Sequence, residues 1–339
     1  MVRRRSPVQP RSTAPVNHLQ RTCSVFSFKH MDIDTLRDQF CDHSTFIRGY
    51  SPDTIRRYRT TIQLFRRYAG VREIEECTPQ CVQDFFYRGR AERHWSANSF
   101  ITFHNSLAVF FRWCVEHGSL PLNPVDGIER PRVPKRLPAR LTEQEAQRLL
   151  EFVQNYPWPY TSLRHRNYAI FATFIFAGLR KHELLHLKLV DVDLENRSIF
   201  VRQGKGSRDR VVPMSSTLAG ILARYLEERR RLDKTCPEFF TSLNRDMGLT
   251  QQGLKGLVIA AKRMTGLEFH VHTLRHTFAT LMLEGGCDIF SLSRMMGHSD
   301  IKTTTIYLAA SASHLRAQMV KHPLNFAHSS GPGGSGRRP

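Results

Sequence analysis

Between Ile33 and Gly118 the apolar residues recur at three- and four-residue steps, the spacing of one face of an α-helix. Ser51 can accept from backbone amides at a helix start, and Pro52 suits the first helical position, where the N–H has no partner. Ile55, Tyr58, Ile62, Phe65 and Tyr68 then form one stripe that Gly70 ends. A second helix is predicted after Thr78-Pro79, with Val82, Phe85 and Phe86 on one face. A third runs from Ser96 through Phe100, Phe103, Leu107, Phe110 and Phe111 toward Gly118. Aromatic residues at helical spacing read as core, ahead of any base-stacking role.

The text changes at Asn123. Pro124, Pro131, Pro134 and Pro138 alternate with Arg130, Arg132, Lys135, Arg136 and Arg140, which predicts a stiff basic linker. Leu141-Thr142-Glu143-Gln144-Glu145 has the form of a capped helix start, and helical spacing then predominates to residue 322. The interruption is at Ser198 to Val212. There Ile199 and Val201, then Val211 and Val212, flank Gly204-Lys205-Gly206-Ser207-Arg208-Asp209, which predicts two strands around a glycine-bearing turn. The expectation is a mainly α protein with a small β-sheet. It has a basic arm (1–30) without an acidic residue, a helical domain (31–122), the linker (123–140), a second, mostly helical domain (141–322) and a flexible tail (323–339).

Charge narrows the partner. Fifty Lys and Arg against 30 Asp and Glu give a net charge of +20, and a polyanion relieves that self-repulsion and releases counterions as it binds. Basic tails alone do not explain the excess, because Arg56, Arg57, Arg59, Arg66, Arg67 and Arg72 lie in the interior of the chain. Nucleic acid is the leading partner, and the protein is expected to be intracellular and soluble. The sequence holds no run of about 18 apolar residues and no secretory opening. Seven cysteines, an odd number without CxxC spacing, fit free thiols better than a disulfide framework or a zinc ribbon.

Three segments carry candidate chemistry. Ala177-Gly178-Leu179-Arg180-Lys181-His182-Glu183-Leu184 places Arg180 and Glu183 one helical turn apart. His272-Thr273-Leu274-Arg275-His276-Thr277-Phe278-Ala279-Thr280 puts His272 and Arg275 on one helix face. Gly297-His298 precedes Tyr307 by nine residues. Singly, each has a plainer explanation: a surface ion pair, a packed helix residue, a solvated turn. Together with Lys205 they supply a phosphate-cleaving set. Two guanidiniums can clamp nonbridging oxygens, two imidazoles can donate to them or handle protons, a lysine can protonate a leaving alkoxide, and a tyrosine can attack.

These segments resemble the tyrosine recombinase (phage integrase-like) family, and most of all its simple Xer-type members, in the order Arg, Lys, His-x-x-Arg, His, Tyr. The resemblance extends to Asn123-Pro124, Leu137-Pro138, Leu141-Thr142 and the helix from Ser51 to Phe65, so that residues 32–320 are covered. It implies Tyr307 as nucleophile, Arg180 and Arg275 as phosphate clamps, and His272 and His298 as their hydrogen-bonding partners. Lys205 is implied as general acid on the 5′ oxygen and Glu183 as a supporting residue. It further implies that residues 31–122 are the core-binding, DNA-binding domain and residues 141–322 the catalytic domain of a C-shaped clamp on double-stranded DNA, with no metal or other cofactor. A homotetramer acting on two duplexes through a Holliday junction is implied too, with Ser311 to Lys321 reaching into a neighbouring subunit. The stretch before Ile33 is too short for the arm-binding domain of larger phage integrases, and Arg180 to His272 is too compact for the insertion of integron integrases.

Three other readings compete. A zinc enzyme is suggested by His272 and His276 at i, i+4 with His270 nearby, but Thr273 stands where a zincin has Glu. A noncatalytic DNA-binding protein leaves Tyr307 and Lys205 unexplained. A type IB topoisomerase shares the chemistry and works on one duplex.

Overall fold

The computed structural model describes residues 31–134, 137–202, 209–298 and 300–308. The chain divides into two compact units, Met1–Pro134 and Lys135–Pro339. The arm (1–30), the turn at 203–208 and everything after residue 308 lie outside the described residues.

In the first unit, α1 (Ile33–Phe46), α2 (Pro52–Ala69), α3 (Pro79–Ala91) and α4 (Ala97–Glu116) each begin at a side-chain cap. Asp32, Ser51, Thr78 and Ser96 accept from the backbone N–H three residues on, filling one of the amide positions that a helix start leaves open. Gly70 ends α2 in the left-handed conformation at φ +73°. The aromatic stripes meet in one core. Phe40, Phe65, Phe86, Phe110 and Phe111 are fully buried, and Phe65 meets Phe111 edge to face at 5.7 Å. This core extends into the proline-rich stretch. Val125 is buried in it, Ile128 packs against it, and Asn123 ties the chain down by donating to Ala108 O and accepting from Val125 N.

The second unit opens with α5 (Glu143–Asn155), whose capping box pairs Thr142 with Glu145. Then come α6 (Thr161–Ala177), α7 (Lys181–Leu185), a sheet, α8 (Ser216–Arg231), α9 (Gln251–Thr265), α10 (Val271–Glu284), α11 (Ile289–Met296) and α12 (Lys302–Leu308). Helix α6 is buried on most of its faces and is packed by α5, α8 and α10, so it forms the axis of the unit. The antiparallel sheet has the order β1 (Val192–Asp193), β2 (Ser198–Val201), β3 (Arg210–Pro213), with Ile199 opposite Val212 and Phe200 opposite Val211. The two expected strands are present. The third, β1, is two residues long, too short for an alternating pattern to reveal it. A small separate core of Phe278, Ala279, Leu283, Leu292, Met296 and Tyr307 joins α10, α11 and α12.

Candidate active site

The site is organised by the glycine ends of two helices. Gly178 closes α6 at φ +60°, and a Cβ there would lie 2.2 Å from Phe278 Cδ1. Gly297 closes α11 at φ +62°, where a Cβ would meet Arg210 Cδ at 2.8 Å. Both positions need the left-handed backbone and the missing side chain together. The chain can then turn directly from α6 into Arg180 and α7, and from α11 into His298.

Glu183 is the hub. Its carboxylate accepts from the backbone N–H of Arg180, from Arg180 Nη1 and from both terminal nitrogens of Arg210, each at 2.7 Å. The Glu183 and Arg210 side chains are only 4% and 9% exposed. Burial by itself pushes this carboxyl up, but the bidentate bond from Arg210, with help from Arg180, outweighs it and brings the pKa down to about 2.

The other face of each guanidinium is held by backbone oxygens. Arg210 Nε donates to Met295 O at 2.8 Å, Arg275 Nη2 donates to Met296 O, and Arg180 Nη2 donates to Gly297 O at 2.8 Å. Three successive carbonyls at the C-terminal end of α11, where unpaired acceptors and the negative end of the helix dipole coincide, thus each take one arginine. Arg275 Nη1 also donates to Gly178 O. Burial, then Arg180, lowers Arg275 to about 9, which still leaves it charged at neutral pH. Three guanidiniums against one carboxylate make the cluster cationic and suited to an anion.

The histidines divide. His298 Nε2 lies 3.3 Å from Arg275 Nη2, and its Nδ1 lies 2.8 Å from Thr304 Oγ1. A guanidinium only donates, so Nε2 accepts and Nδ1 carries the proton to the threonine. Burial, then Arg275, Arg180 and Arg210, hold His298 down at about 4, consistent with that neutral ring. His272 sits exposed on the first turn of α10, and desolvation followed by Arg275 lowers its pKa. Tyr307 is 2% exposed, and its Oη is 2.8 Å from His276 Nδ1. Burial raises the phenol pKa, while Arg275 and Arg180 pull it back.

Arg180, Glu183, Arg275 and His298 are therefore brought into one bonded cluster. Tyr307 joins it through α12 and His276, and His272 lies at its edge. Lys205 lies outside the described residues. Three participants have no place in the sequence-based set: Arg210, His276 and Thr304. Arg210 is the first residue of β3, and only the fold shows that it faces Glu183. His276 follows Arg275 directly and could be read as packing or as a metal ligand. Its Nδ1 is instead on Tyr307, and no group of three or more His, Cys, Asp or Glu placed to hold a metal occurs among the described residues.

Glu183→Gln is expected to lower the stability of this unit by about 3 kcal/mol at pH 7, because it strands two part-buried cations. Glu183 titrates near 2 in the fold against an ordinary 4.5. Its contribution is present above pH 4.5 and lost as pH falls toward 2, so the gap between variant and parent should narrow over that window. Urea unfolding at several pH values measures this, and equal stability at pH 7 would remove Glu183 as the hub.

The chain matches the Phage integrase family over residues 139–314 and the Phage integrase N-terminal SAM-like domain over residues 36–118. It is 31% identical over 296 residues to a tyrosine recombinase XerC of Oceanobacillus iheyensis, covering 84% of this chain and 95% of that protein. To a tyrosine recombinase XerA of Thermococcus kodakarensis it is 33% identical over 281 residues, covering 82% and 92%. Among solved structures, the XerH site-specific recombinase bound to a palindromic difH substrate matches with TM-score 0.67 at 20% identity, covering 85% of this chain and 84% of that one. The Tn1549 transposon integrase in complex with transposon right end DNA also matches with TM-score 0.67 at 20% identity, covering 85% and 98%.

Proposed function

This chain belongs to the phage integrase family, as a tyrosine recombinase of the Xer type, and on that premise we propose how its own residues cut and rejoin DNA at specific sites. The observation that carries the proposal is the convergence of Arg180, Arg275 and His298 on one cationic cluster beside Tyr307. Arg180 and Arg275 bind the nonbridging oxygens of the scissile phosphate and offset the charge that grows there, with His272 and His298 as the hydrogen-bonding partners of these clamps, His298 through the bond it accepts from Arg275 Nη2. Tyr307 Oη forms a bond to phosphorus as the bond to the 5′ oxygen breaks, and Lys205 protonates that leaving oxygen. The 3′-phosphotyrosine keeps the energy of the broken bond, so a 5′ hydroxyl from a second duplex can reverse the step and join the strands. Glu183 orients Arg180, and Arg210 in turn holds Glu183.

The wider assembly follows the same premise. The helical domain (31–122), the basic linker (123–140) and the catalytic domain (141–322) all bind double-stranded DNA. Four copies act on two duplexes through a Holliday junction, with residues 311–321 linking neighbours. DNA is the partner in the solved structures of XerH and the Tn1549 integrase, which share this fold. The setting is the nucleoid of a cytoplasm, in dimer resolution or in integration and excision of a mobile element. No described helix is long and apolar enough to cross a membrane.

The test uses a site recovered by binding selection and placed twice on a supercoiled plasmid in excess chelator. Recombinants between the two copies are expected. Relaxation of a single-site plasmid without pairing would favour a topoisomerase, and loss of the chemical step on chelation would favour a metal enzyme.

A further inference from the structure

Attack by Tyr307 releases a phenol proton, and none of the residues given a role above accepts it. Among the described residues, His272, His276 and His298 stand near the reacting groups. Both ring nitrogens of His298 are engaged, one by Arg275 and one by Thr304. His272 is exposed on the first turn of α10. His276 is the one hydrogen-bonded to the nucleophile, its Nδ1 2.8 Å from Tyr307 Oη and the two rings 5.6 Å apart. The phenol is buried in the small core of α10, α11 and α12, where water cannot easily take its proton. Burial, then His272 and Arg275, keep His276 below the ordinary histidine range, so at neutral pH the ring is uncharged and has one bare nitrogen.

We propose that His276 Nδ1 takes the Tyr307 proton as the strand is cut and returns it as the strand is rejoined. This rests on the reading of Tyr307 as nucleophile. In the forward step the Oη–H bond breaks and an Nδ1–H bond forms, while Oη bonds to phosphorus. The bond from phosphorus to the 5′ oxygen breaks with its electron pair on that oxygen, which is protonated by the acid assigned to Lys205. Rejoining runs each transfer backward, so no other reagent is consumed. His276 is then a catalytic residue, since it touches the reacting atom.

The experiment compares single-turnover cleavage by saturating full-length protein carrying His276→Asn or His276→Ala. Asparagine can place an acceptor near the position of Nδ1 but cannot take a proton, so it separates holding the tyrosine from deprotonating it. Both variants are expected to bind the site within about threefold of the parent and to cleave about 100-fold more slowly, the scale of a general base. Incorporation of 3,5-difluorotyrosine at position 307 supplies a more acidic phenol. It should restore about tenfold or more to His276→Asn while changing the parent little. Three results overturn the assignment: His276→Asn cleaving at the parental rate, either variant cleaving faster because the bond was only a latch, or a loss that fluorination does not reduce. An adduct mapped to a residue other than Tyr307 in the parent brings down the nucleophile itself, whereas parental cleavage by His276→Asn with the adduct still on Tyr307 brings down the proton acceptor alone.

Discussion

Lys205→Ala is expected to slow cleavage of ordinary DNA by about a thousandfold and to regain most of that rate on DNA with sulfur at the 5′ bridging position. The leaving 5′ oxygen is a poor alkoxide and departs only as it is protonated. Sulfur leaves readily without a proton, so the substituted DNA removes the need for the acid. Arg180→Ala is the control. It is expected to lose about 100-fold or more on both substrates, because its guanidinium offsets charge on the nonbridging oxygens whatever atom leaves. The contrast also separates chemistry from folding, since a misfolded variant gains nothing from sulfur. Equal rescue of both variants, or of neither, would return Lys205 to the role of a DNA-contacting turn residue.

What the sequence made legible follows from how local each signal is. Ser51, Thr78, Ser96 and Thr142 cap helices through atoms three residues away, so the starts of α2, α3, α4 and α5 are written in adjacent letters. Helix α6 exposes Thr161 and Arg164 in its first turns but is almost wholly covered by neighbours from Ala169 on, so no polar face runs along it and periodicity alone cannot place it. The site shows the same division. Arg180 and Glu183 are three residues apart, and their pairing is predictable from helix geometry. That the pair is buried is a tertiary fact, set by Arg210 arriving from β3, 27 residues downstream of Glu183. The anchoring carbonyls of Met295, Met296 and Gly297 carry no residue-type signal at all, since every residue has one. His276 had a visible partner type but no visible partner, because its bond to Tyr307 spans 31 residues.

Tyr307 is the side chain on which the whole reaction depends. Tyr307→Phe keeps the ring that fills the core of α10, α11 and α12 and removes only Oη, with its hydrogen bond to His276. The loss of one neutral hydrogen bond costs about 1 kcal/mol, too little to unfold the unit. The variant should therefore bind its site as the parent does, while Arg180, Glu183, Arg210 and Arg275 keep their bonds to one another and to α11. Without the nucleophile no covalent intermediate can form, and cleavage should fall by at least about 10⁴-fold, the scale seen when a covalent nucleophile is removed. The measurement is to trap the protein on a nicked site whose cut 5′ end diffuses away, digest the adduct and identify the modified peptide by mass spectrometry. The predicted result is a nucleotide on Tyr307 in the parent and no adduct in Tyr307→Phe. An adduct of normal yield in the variant, or one mapped to another side chain in the parent, would contradict the account.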